Sequence, residues 1–165
     1  MKKKIIFLIL LIGNFLLISN CANYTPIYAE QQSSGITFHA ININAENEIK
    51  KILLELFNRS QKKNDDEKKY ILNINVQKDK IIKTKDKTGE PVLYETGLTF
   101  DMEITSTTDK KEIIYKKTII ENFYFKNLDS PSETADNENN LIKDYTRVAF
   151  SKIFLAINQF SKNDL

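Results

Sequence analysis

Cysteine and histidine are the side chains that most often carry metal or nucleophile chemistry, and this chain of 165 residues has one of each, Cys21 and His39. One cysteine excludes an intramolecular disulfide and a multi-cysteine zinc site. One histidine excludes a zinc-protease motif, and His39 reads as a solvated strand residue rather than a ligand. The glycines Gly13, Gly35, Gly89 and Gly97 lie too far apart to cradle a phosphate. Carboxylates are abundant, and Glu95, Asp101 and Glu103 share one strand phase. No nucleophile, base and oxyanion donors gather around them, so the roles of a catalytic site stay unfilled. The sequence therefore reads as that of a non-enzyme, with no catalytic residue, no metal and no cofactor. Its 24 basic and 22 acidic residues give a formal net charge of +2. That balance lacks the basic excess of a nucleic-acid binder, so no nucleic-acid partner is expected.

Cys21 gains meaning from what precedes it. Lys2, Lys3 and Lys4 are followed by the apolar run Ile5 to Ile18, and no further charge appears until Glu30. A basic start, an apolar stretch of about 7–15 residues and a small-residue exit make a secretory signal peptide. The run holds Asn14 and is short for a membrane span, which needs about 20 apolar residues. Ile18-Ser19-Asn20-Cys21 resembles a bacterial lipobox, in which the cysteine is acylated and becomes the mature N-terminus. Asn20 departs from the Gly, Ala or Ser usual before the cysteine. The expected organisation is a signal peptide over 1–20, a lipidated tether over 21–35 and one domain over 36–165. Gln31-Gln32-Ser33-Ser34-Gly35 fits a flexible tether. Loss of the three signal lysines takes the 24 basic residues to 21 against 22 acidic, so the +2 becomes −1.

The domain must position whatever remains. Ile36 to Ile43 reads as a strand. Ala45 to Gln61 reads as a helix, with Ile49, Ile52, Leu53, Leu56 and Phe57 on one stripe. Lys62 to Lys69 is a charged connector. Tyr70 to Ile82 is a strand with Tyr70, Leu72, Ile74 and Val76 on one face. Thr88-Gly89-Glu90-Pro91 reverses the chain. Val92 to Thr105 alternates most cleanly, with Val92, Tyr94, Thr96, Leu98, Phe100, Met102 and Ile104 on the apolar phase. A turn at Thr107 to Lys111 leads to a strand over Ile113 to Phe125, which completes an antiparallel meander. Asn127 to Glu138 is a polar loop or helix entry. Asn139 to Lys162 is a helix whose seam is Ile142, Tyr145, Ala149, Ile153, Ala156 and Phe160, with Leu141, Val148, Phe150, Phe154, Leu155 and Ile157 widening it. The fold class is α+β, in the order β-α-β-β-β-α. A mixed or antiparallel four-stranded sheet carries two helices on one face. The other face is polar, through Asn73, Asn75, Gln77, Glu95, Thr99, Asp101 and Glu103.

The segment Cys21-Ala22-Asn23-Tyr24-Thr25-Pro26-Ile27-Tyr28 resembles the C-G-F-x-P-L-Y start of the alphaproteobacterial LPS-assembly lipoproteins, the LptE or rare lipoprotein B family. Tyr24 stands at the aromatic position, Pro26 and Tyr28 match, Ile27 replaces Leu, and Ala22-Asn23 replace a single Gly. The order of elements is also similar to that family. The resemblance implies a lipoprotein of the outer membrane, on its periplasmic face and held by acyl chains at Cys21. It implies partners too: a large LptD-type β-barrel translocon that the lipoprotein plugs and helps to assemble, and lipopolysaccharide on its way to the surface. The polar sheet face suits a water-filled lumen. The dense lysines of the hairpin suit lipid A phosphates, with Lys80, Lys83, Lys85 and Lys87 as the expected contacts. The alternative is a membrane-anchored periplasmic binding or accessory lipoprotein unrelated to LPS.

Overall fold

The chain is described by a computed structural model over residues 37–60, 70–107 and 112–163. The expected signal peptide, Cys21, the tether, Ile36 and the connector Lys62 to Lys69 lie outside the described residues, as does most of the turn at Thr107 to Lys111. The described residues all fall within one compact unit, Ser33–Leu165.

The elements run β1 (Phe38–Asn44), α1 (Asn47–Ser60), β2 (Tyr70–Lys85), β3 (Pro91–Ser106), β4 (Ile113–Lys126) and α2 (Pro131–Asn163). The sheet order is β1-β2-β3-β4. β1 pairs parallel to β2, while β2, β3 and β4 form an antiparallel meander. The sheet is thus mixed, and the order β-α-β-β-β-α is the expected one. A parallel β1–β2 pair needs a crossover, and α1 supplies it.

Strand period 2 decides the faces. On the covered face Leu72, Ile74, Leu98, Phe100, Met102, Ile104, Ile119, Phe123 and Phe125 are buried together with the inner stripes of both helices. From α1 these are Ile49, Leu53 and Phe57. From α2 they are Ile142, Ala149, Ile153, Ala156, Ile157 and Phe160. The added apolar residues of α2 divide. Phe150 meets Phe57 edge-on at 4.9 Å and so joins the two helices. Ile157 is buried, whereas Val148 and Leu155 remain exposed.

Two boundaries differ from the sequence expectation by three residues or more, for physical reasons. β2 continues to Lys85 instead of ending near Ile82, because the ladder to β3 resumes after register shifts around Thr84. α2 starts at Pro131, eight residues earlier than the apolar seam suggests. Its first two turns carry almost no apolar side chains, so periodicity could not show them. Capping chemistry could: Pro131 takes the first helical position, where its missing N–H costs nothing. The Thr134 amide donates to the Ser130 carbonyl at 3.0 Å, and the Leu128 amide donates to Thr134 Oγ1 at 2.9 Å.

Candidate functional site

The uncovered face of the sheet is built by the opposite phase of the same strands. β1–β2 register sets Asn42 beside Asn73 and Asn44 beside Asn75. Each pair is joined amide to amide at 2.8 Å. The β3–β4 register adds Glu103 beside Lys116, Asp101 beside Thr118 and Glu95 beside Tyr124. All three are bonded across the strands: Lys116 Nζ to Glu103 Oε1 at 2.8 Å, Thr118 Oγ1 to Asp101 Oδ1 at 2.5 Å, and Tyr124 Oη to Glu95 Oε1 at 3.3 Å. The hydrogen bond to Glu103, and then that carboxylate's charge, raise the Lys116 ammonium above the ordinary lysine range. No helix lies on this face among the described residues. The polar face expected from β2 and β3 is present, and it extends onto β1 and β4. Asn42, Asn44, Lys116 and Tyr124 belong to it only through inter-strand register, which a single strand's alternation does not reveal.

The tip of the β2–β3 hairpin is a tight, preorganised turn. Asp86 Oδ1 accepts from the Thr88 amide at 2.8 Å, Thr88 Oγ1 at 2.6 Å and the Glu90 amide at 2.9 Å. Those bonds favour the ionised carboxyl and hold Asp86 below the usual carboxylate range, the Thr88 side chain contributing most. Gly89 sits at φ 92°, a conformation in which glycine is the default residue.

The four lysines expected to act together are divided by the sheet. Lys80 lies on the covered face, its Nζ 2.5 Å from Glu138 of α2 and 4.5 Å and 4.8 Å from the ring centres of Tyr94 and Phe125. Lys83 lies on the open face, 2.6 Å from Glu95 and 5.9 Å from the Tyr124 ring. Hydrogen bonding to Glu95, followed by its charge, raises the Lys83 ammonium. Lys85 and Lys87 flank the turn, exposed and with no ion pair among the described residues. Two of the four charges are therefore compensated locally, on opposite faces, and two stand free at the tip. His39 is exposed, as its strand phase implies. Among the described residues no group of His, Cys, Asp and Glu could hold a metal ion.

Among the described residues the covered face buries one charge, which alternation would not place there. Glu121 of β4 is 7% exposed among apolar residues. Lys152 Nζ of α2 stands 2.7 Å from its Oε1. The contact is an ion pair without hydrogen-bond alignment, and the buried Thr96 Oγ1 also has no bonding partner among the described residues.

No family model matches the sequence, and no curated protein matches it. Solved structures do. Rare lipoprotein B from Shewanella oneidensis aligns with a TM-score of 0.57 at 11% identity, over 75% of this chain and 97% of that one. Lipoprotein B from Nitrosomonas europaea aligns with a TM-score of 0.57 at 16% identity, over 81% of this chain and 90% of that one. The chain has the rare lipoprotein B fold. The shared part takes in nearly the whole of either neighbour.

Proposed function

We propose that this protein is an LptE-type lipoprotein, anchored through Cys21 to the periplasmic face of the outer membrane, that plugs and assists assembly of a β-barrel LPS translocon. The observation that carries the reading is the rare lipoprotein B fold, matched over 97% of the Shewanella chain. The lipobox-like Cys21 and the polar sheet face, which no helix covers among the described residues, support it. Geometry adds a further support. The chain enters the sheet at Phe38, beside Tyr70, at the end opposite the hairpin turn. At about 3.3 Å per residue, the 16 residues of β2 put the tip roughly 50 Å from that end. The domain thus presents the tip far from the point where the chain enters the sheet, as a plug reaching along a lumen would. There Lys85 and Lys87, whose charge is uncompensated, meet lipid A phosphate, with Lys80 and Lys83 as weaker contributors.

Affinity purification of the full chain from outer-membrane extract tests this. Recovery of one large β-barrel in a one-to-one complex is expected; folded bait that recovers none overturns the reading. Acyl labelling that is lost in Cys21→Ser tests the anchor separately. For LPS, Lys85→Ser with Lys87→Ser should weaken binding more than Lys80→Ser with Lys83→Ser, and equal losses would remove the tip's special role.

A further inference from the structure

The meander leaves β4 with one free edge. It pairs with β3 on one side, and on the other its 14 residues have no strand partner among the described residues. Bare edges of this length invite pairing and are normally blunted or covered. Here the flanks are apolar on both sides of the edge. On the open face Ile120 is 59% exposed and Tyr124 55%. On the covered face α2 overlies β4, with Tyr145 stacked on Phe123 and Phe160 against Tyr115. Lys152 reaches down to Glu121, so the residues that share its side of α2, Val148 one turn before and Leu155 one turn after, flank the same edge. Leu155 is 59% exposed. The edge also carries positive charge. Lys116 is taken by Glu103, but Lys117 and Lys126 are exposed without an ion pair among the described residues. Glu121 is already matched by Lys152.

We infer that the free edge of β4 receives an extended, acidic strand of a partner protein, whose backbone continues the sheet, whose apolar side chains sit against Ile120 and Tyr124 on one face and Leu155 on the other, and whose carboxylate meets Lys117. Strand addition draws affinity from main-chain hydrogen bonds and specificity from alternate side chains. A second copy of this chain fits less well. Symmetric antiparallel pairing of two β4 strands turns the copies end for end, so their Phe38 ends, and the segments leading back to Cys21, would leave from opposite ends of the joint sheet. The inference stands on the edge itself and does not need the translocon reading.

The test uses the full-length protein and a synthetic ten-residue peptide of alternating valine and threonine with one central glutamate. Saturable binding is expected, with slowed amide exchange along Ile113–Lys126. Lys117→Glu, at an exposed position, should weaken that peptide by about tenfold and restore affinity to the same peptide with lysine for glutamate; a tenfold change is 1.4 kcal/mol. Leu155→Glu should weaken both peptides while leaving the circular dichroism spectrum unchanged. Protection at a strand other than β4, affinity indifferent to the charge exchange, or a concentration-dependent dimer that protects β4 without peptide would each overturn it.

Discussion

The two faces of one sheet use the same strands in opposite ways. On the covered face the side chains are large, apolar and mutually buried, and they define where the helices lie. On the open face many are polar, and several pairs are bonded across a strand boundary. A fully buried side chain contributes about 1.5–3 kcal/mol by leaving water, whereas an exposed cross-strand pair contributes roughly 0.2–1 kcal/mol. The difference teaches that stability is concentrated on one face. The covered face holds the domain together, and the open face can be changed at small cost.

The sharpest break of that comparison is Phe100→Ala. Phe100 is fully buried at the centre of β3, and truncation there should remove about 3–5 kcal/mol of stability. Urea unfolding followed by circular dichroism measures it, and a loss under about 1 kcal/mol would mean that the covered face is not the core.

A smaller effect is expected at the one charged side chain buried among the described residues. Glu121 belongs by phase to the covered face yet carries a charge, and among the described residues Lys152 answers it. Lys152→Met strands the carboxylate and should cost about 1–3 kcal/mol, with Lys152's own exposure holding the figure toward the lower end. Glu121→Gln combined with Lys152→Met should recover part of that loss. Equal stability of the single and double variants in urea would show that the pair is not coupled.

These contrasts also explain what the sequence made legible. Alternation in β3 is clean because one face is dry and the other wet, so the apolar phase from Tyr94 to Ile104 and the polar phase opposite it could be assigned residue by residue. The seam of α2 was legible for the same reason. Its first two turns were not, because nothing apolar marks them and the cap at Ser130 and Pro131 is a shorter signal. The division of the lysine cluster is instructive in another way. Lys80 and Lys83 are three apart, and only the alternation of β2 shows that they emerge on opposite faces. Their partners Glu138 and Glu95 come from distant elements, and no local pattern announces them.

On the open face, Thr118→Val removes the hydroxyl bonded to Asp101 while keeping the β-branched shape that suits a strand. The expected loss is below about 1 kcal/mol. A loss comparable with that of Phe100→Ala would make the open face part of the core and dissolve the comparison.

The least costly change lies at the tip, where the two faces meet. Asp86 is held below its ordinary range by bonds to the ionised carboxyl, from the Thr88 side chain first and then from the Glu90 amide. Because the folded state binds that proton less readily than the unfolded chain, Asp86 contributes stability at pH above the usual carboxylate range, about 3.9. The contribution fades as pH falls through the lowered folded value. Asp86→Asn keeps acceptor geometry but not the charge, so its stability should depend less steeply on pH below the usual carboxylate range than that of the unsubstituted protein. Phe100→Ala should shift the whole acid-unfolding curve and leave its slope there unchanged. Parallel curves for Asp86→Asn and the unsubstituted protein would show that the turn is not held by its carboxylate.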